Sequence, residues 1–384
     1  MMKILRFTIF LFFVSLTHLS FAQEDTPHFW LAKARTTILA GDTLQGITDL
    51  HQAIHLGLFD PLAITNSKTL SFLAQEIRGK DLMEGISQNR LRLSDPSQLR
   101  IETGDIDRFW ENFDALHEPN AESIFLKNYI QEGSQGLKTF YSVRMNRDLE
   151  KYLDRVRSLE SYYQSIRPTT LKFESLKPDF IRAAQKLKEL YPEAIFPPIY
   201  FLMGSLSNVG TPDGWAGMLI GAEHLSKDSN SNLDSLSEWE QKIIFDFDQT
   251  VPIIVHEYVH LQQKNTPEST LLDLAIMEGA ADFITYLILG QPTDPRVFDF
   301  GVAHEEKLWA QFKTQMRGEN TDDWLFNTDN PETGYPGNLG YFIGYRICES
   351  YYHQAVDKKS AIKEMLEIRD FEKFLKDSAY EFKH

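Results

Sequence analysis

The run Val251-Pro252-Ile253-Ile254-Val255-His256-Glu257-Tyr258-Val259-His260-Leu261-Gln262-Gln263 carries two histidines four residues apart, with a glutamate directly after the first. Thr250 is placed to cap a helix and Pro252 is tolerated in a first turn, so the segment is expected to be helical from its start. Residues four apart share a helical face, which lets His256 and His260 grip one ion through both imidazoles. Glu257 is rotated by about one hundred degrees from His256 and can reach a metal-bound water without being a ligand. Ile253, Ile254, Val255, Val259 and Leu261 are apolar, so this helix is expected to be buried. A His-Glu-His group on a buried helix needs a compensating partner, and a metal supplies one.

A third ligand is expected from a second element, because a catalytic zinc takes three protein ligands and keeps one position for water. Glu278 is the best candidate. It lies in the apolar helical run Leu272-Asp273-Leu274-Ala275-Ile276-Met277-Glu278-Gly279-Ala280-Ala281-Asp282-Phe283, and a turn near Asn265-Thr266-Pro267 lets that run fold back across the first helix. Small Gly279, Ala280 and Ala281 permit close approach of the two backbones. Asp282, one turn beyond Glu278, is placed to accept the free ring N–H of a ligand histidine and fix its tautomer.

With these residues the sequence resembles the gluzincin metallopeptidases, whose H-E-x-x-H is followed downstream by E-x-x-x-D. His256, Glu257, His260, Glu278 and Asp282 match that pattern. The arrangement also resembles a bacterial family of predicted zinc-dependent proteases. That similarity runs from Asp105-Ile106-Asp107-Arg108-Phe109-Trp110, through Gly133-Ser134-Gln135-Gly136-Leu137, to Gly340-Tyr341-Phe342-Ile343-Gly344 and Asp357-Lys358-Lys359-Ser360-Ala361. The resemblance implies a Zn2+ cofactor, hydrolysis of peptide bonds with Glu257 as general base, and a peptide or protein substrate held along an edge strand. Met218 to Ala222 is the expected counterpart of that strand, and Glu223 and His224 follow it. An oxyanion stabiliser is implied as well; Tyr335, Tyr341 and Tyr345 are candidates, Tyr341 is chosen, and Arg346 is an alternative. Two rival readings are a helical protein-binding module with a structural or vestigial zinc site, and a hydrolase of non-peptide amides.

Away from the motif, the pattern is that of an α+β, mainly α protein of zincin type with a small antiparallel sheet beside the metal helix. Phe29 to Leu58 reads as a helical hairpin broken at Gly41-Asp42, loosely similar to one tetratricopeptide unit. Ile106 to Leu116, Ala121 to Gln131 and Arg147 to Ile166 read as helices, Ile199 to Met203 and Gly217 to Gly221 as a strand pair, and Thr321 to Asn338 as a long loop. The expected division is a signal peptide at 1–22, a helical N-terminal region at 23–170 and a zincin-type region at 171–384.

Lys3 and Arg6, the apolar run Phe7 to Leu16 and the small residues Ser20 and Ala22 make the first 22 residues a secretory signal. The protein is therefore expected in the periplasm or outside the cell, and no later segment is apolar for long enough to span a bilayer. A formal charge of -16 disfavours nucleic acid as a partner. The only cysteine, Cys348, excludes an intramolecular disulfide; no thiol follows the signal to carry a lipid, and Cys348 itself is expected to be a buried small hydrophobe.

Overall fold

The computed structural model describes residues 26–264, 270–327, 329–330 and 333–381; the expected signal peptide and the turn near Asn265-Thr266-Pro267 lie outside them. The described chain divides into two compact units, one ending at Arg90 and the other starting at Leu91, so the expected boundary at 170/171 falls inside the second.

In the first unit, helices Pro27–Leu39 and Thr43–His55 form the hairpin. Thr26 caps the first by accepting the Phe29 N–H at 3.2 Å, and Asp42 caps the second by accepting the Gln45 N–H at 3.0 Å. Gly41, with φ of 94°, makes the turn between them, a left-handed conformation that costs glycine little. Leu31, Ala34, Leu50 and Ala53 close over a core shared with Ile64, Leu73, Leu82 and Ile86.

The second unit packs helices around a mixed four-stranded sheet. Its strands are β1 (Ile101–Glu102), β2 (Ile199–Leu202), β3 (Gly210–Asp213) and β4 (Gly217–Gly221), in the order β1-β2-β4-β3. β2 and β4, which read as an antiparallel pair, run parallel, with Ile199 opposite Met218; only β3 and β4 are antiparallel. The reason is β3. It carries the chain back past β2 before a turn at Asp213, whose carboxylate accepts the Trp215 and Ala216 N–H groups, returns β4 between the two. Pro212 hides this strand from a sequence reading, but proline is admissible on an edge. Met218 to Ala222 is consequently not an edge strand: β4 is interior and buried along its whole length, in keeping with its unbroken apolar run.

Glu223 and His224 turn out to brace the sheet. The Glu223 carboxylate accepts the Gly204 N–H at 2.8 Å and the Leu206 N–H at 3.0 Å, while His224 Nδ1 lies 3.0 Å from the Ile243 carbonyl. Four buried tyrosines complete the brace. Tyr129 and Tyr152 donate to the Met203 carbonyl, Tyr163 to that of Gly204 and Tyr162 to that of Glu223. Tyr152, Tyr162 and Tyr163 come from the expected Arg147 to Ile166 helix, which is interrupted at Leu159 into Leu149–Ser158 and Glu160–Thr170. The described residues of the Thr321 to Asn338 segment are irregular as expected, and buried Trp324 and Leu325 anchor them.

Candidate metal centre

The Thr250–His260 helix begins without a side-chain cap: Thr250 is its first residue, and its hydroxyl donates to the Leu225 carbonyl at 3.3 Å instead. Ile254, Val255, Tyr258 and Val259 are buried, and the Tyr258 hydroxyl donates to the Pro197 carbonyl at 2.6 Å. These contacts set His256 and His260 on the face turned to the Leu271–Leu289 helix. Thr270 caps that second helix, accepting the Asp273 N–H at 3.2 Å, and Gly290, with φ of 75°, ends it.

The two helices bring His256, His260 and Glu278 together, with one ligand atom of each within 4.8 Å of the others. Glu278 Oε2 lies 3.3 Å from His256 Nε2 and 3.1 Å from His260 Nε2, and the two Nε2 atoms are 3.0 Å apart. Asp282 accepts the His256 Nδ1 proton at 2.7 Å. A carboxylate cannot donate, so this contact places a ring hydrogen on Nδ1 and turns Nε2 toward Glu278.

Two imidazole lone pairs and a carboxylate oxygen converging in a buried place repel one another unless a cation or a proton lies among them. Burial lowers the proton affinity of the His256 ring, but Asp282 and Glu278 outweigh it and hold its pKa well above the ordinary value. For His260, too, burial works against protonation and Glu278 reverses it, giving a raised pKa. Burial acts to raise the Glu278 carboxyl, yet the two histidines hold it far below the usual range. This donor set fits a borderline divalent cation such as zinc, which accepts imidazole nitrogen and carboxylate oxygen.

Tyr341 is the tyrosine of the three that reaches the centre: its ring centroid lies 6.0 Å from that of His256. Burial, then Glu278, Asp282 and Glu257, push its phenol well above the ordinary pKa, so it stays protonated. Tyr345 stacks edge-on with Phe283 and Phe298, Tyr335 packs against Phe300, and Arg346 is paired with Glu305 at 2.8 Å. Glu257 borders a cavity of about 180 Å³ together with His256, Asp282 and Tyr341, and Ile253, Val297, Phe298 and Phe342 form its apolar wall. Gly279 does not serve the approach of the metal helix. It packs against Gly344 on the Leu339–Gln354 helix, which carries Tyr341.

A sequence reading gave Gln263 no role, although it follows His260 by three residues and so lies near it on the helical surface. Its Oε1 lies 2.7 Å from His260 Nδ1, and its Nε2 donates to the Met277 carbonyl at 2.8 Å. Cys348 is fully buried in the Leu339–Gln354 helix, and burial pushes its thiol pKa up. No helix among the described residues is long and apolar enough to cross a membrane.

The comparisons with known proteins redirect the functional reading. Neither curated proteins nor solved structures returned a match. A family model described as gliding motility protein GldB, a lipoprotein family, matches residues 94–382 and so spans the sheet, both helices of the His256-His260-Glu278 cluster and the C-terminal helices. This finding overturns the resemblance to gluzincins and to the predicted zinc-dependent proteases, and with it the expectation of an enzyme hydrolysing peptide bonds with Glu257 as general base and Tyr341 as oxyanion stabiliser. The physical reason is that two histidines on one helical turn and a glutamate on a crossing helix specify what can be bound; they do not specify a reaction. The chain belongs to the GldB family of gliding motility proteins.

Proposed function

We propose that the chain is an exported component of gliding motility that holds one zinc ion between His256, His260 and Glu278, with Asp282 orienting His256. The observation that carries this reading is the convergence of two imidazole nitrogens and one carboxylate oxygen within 3.3 Å of one another, with His256 only 7% and Glu278 only 6% exposed. So little solvent leaves the charge to be balanced from within. Zinc would supply a positive charge that joins the two helices and one coordination position not taken by the protein. Glu257 and Tyr341 line the cavity beside His256 and Asp282 and would face a group bound there.

Membership of a lipoprotein family supports export, as does the signal-like sequence of the first 22 residues, with cleavage before Gln23. Cys348, the only thiol, is buried, so a lipid on it would require that helix to leave the core.

Zinc content of the purified chain tests the metal reading. One equivalent retained after dialysis against a weak chelator is expected, and a chain that binds none overturns it. In a gliding host lacking its own copy, the parent gene should restore spreading, whereas His256→Ala should not. Equal restoration by both would remove the metal from the function.

A further inference from the structure

We infer that Gln263 is a positioning residue of the metal centre, holding the His260 ring in the tautomer and orientation that present Nε2 to the ion. The inference rests on the zinc reading above and deepens it.

The amide of Gln263 has one accepting end and one donating end, and its surroundings leave one assignment. The Met277 carbonyl, 2.8 Å away, can only accept, so it must face the amide nitrogen. That turns Oε1 toward His260 Nδ1 at 2.7 Å, and an amide oxygen can only accept as well. The His260 hydrogen therefore sits on Nδ1. Its Nε2 is thereby the nitrogen presented to the ion, directed at Glu278 Oε2 and His256 Nε2 at 3.1 and 3.0 Å.

Met277 is the residue before Glu278, so the same side chain ties the ring of one ligand to the backbone beside another. His256 has a counterpart in Asp282, but the two supports differ in charge. A carboxylate backs one imidazole and a neutral amide the other, which makes His256 the more electron-rich donor of the pair.

Gln263 is not the only anchor of the helix end among the described residues. Its neighbour Gln262 points the other way and exchanges two hydrogen bonds with Ile195, accepting its N–H at 3.0 Å and donating to its carbonyl at 3.0 Å. The Lys264 N–H donates to the Leu366 carbonyl at 2.7 Å. These bonds anchor the end of the helix, so a change at Gln263 should reach the metal before it reaches the fold.

The test compares Gln263→Leu, which removes both hydrogen bonds, with Gln263→Glu, which keeps an acceptor for His260 Nδ1. Zinc affinity is read by competition with a chelator, and ligand geometry by the visible spectrum of the cobalt-substituted full chain. Gln263→Leu is expected to bind zinc roughly tenfold to a hundredfold more weakly and to shift the cobalt bands, while Gln263→Glu recovers most of the affinity. Should the leucine variant not fold, Gln263→Met takes its place. Parent-like affinity and spectrum in the variant without the hydrogen bonds would sink the role of Gln263 and leave the zinc reading standing. So would a Gln263→Glu that binds no better than Gln263→Leu. A parent chain that takes up neither zinc nor cobalt would bring down the zinc reading and this inference together.

Discussion

Gly279 and Gly344 meet backbone to backbone. A Cβ added at Gly279 would lie 2.0 Å from the Gly344 carbonyl carbon, and one added at Gly344 would lie 1.7 Å from the Ala275 carbonyl oxygen. Both of these closely packed helices contribute to the site built on Thr250–His260. Leu271–Leu289 brings Glu278 and Asp282, and Leu339–Gln354 brings Tyr341. The partner atoms are main chain on both sides, so a methyl group can be accommodated only by separating the helices. Gly344→Ala is expected to cost about 3 kcal/mol, the upper end of ordinary overpacking. Urea unfolding measures it, and a change within experimental error would mean that the contact is looser than described.

Glu257 and Glu278 should behave differently toward metal. Glu278→Gln replaces an anionic ligand by a weaker, neutral donor and is expected to lower zinc affinity by about a hundredfold or more, whereas Glu257→Gln should stay near-stoichiometric. Asp282→Asn should fall between them, with roughly a tenfold to hundredfold loss. Chelator competition on the three variants gives the order. Zinc lost from Glu257→Gln and kept in Glu278→Gln would reverse the assignment.

Zinc binding should weaken as pH falls, because His256 and His260 must be neutral to ligate and both have raised pKa values. The metal-free chain should show the opposite trend. A histidine raised in the folded state contributes stability that is full below its unfolded pKa, near 6.5, and is lost as pH rises through the folded value. Melting temperatures of chelator-treated and zinc-loaded protein between pH 6 and 9 should therefore diverge. Parallel curves would remove the proton-for-zinc exchange from the site.

Glu223→Ala should destabilise the fold without changing zinc affinity. It would leave the buried Gly204 and Leu206 N–H groups without their acceptor, at about 3 kcal/mol or more. Denaturant unfolding and a zinc titration of the same variant separate the two effects. A loss of zinc binding at unchanged stability would move Glu223 from the sheet to the site.

The chemistry-bearing spacing was legible because a helix repeats every 3.6 residues, so His256 and His260 must share a face wherever that helix lies. The same local rule placed Asp282 one turn from Glu278, and the mainly helical α+β character followed from apolar periodicity in the same way. Gln263 obeyed it too, yet glutamine is so common on helical surfaces that spacing alone did not mark it. Local patterning could not assign the reaction, since the match to the gliding motility family spans about 290 residues and the gluzincin pattern rested on five.

What only the tertiary structure decided is non-local. The direction of β2 against β4 depends on where β3 inserts, and β3 is a four-residue segment with a proline and no apolar alternation of its own. Gly279 was read as room for the metal helix, but it makes room for Gly344, because which helix a small residue admits depends on a crossing between segments some 65 residues apart. Tyr341 was chosen from the sequence, but only the packing of helices shows its ring beside His256 while Tyr335 and Tyr345 pack among other aromatics. The sequence by itself determined which side chains share a helical face, since that is geometry within one turn. The fold determined which faces meet, since that is packing between elements the chain does not place side by side.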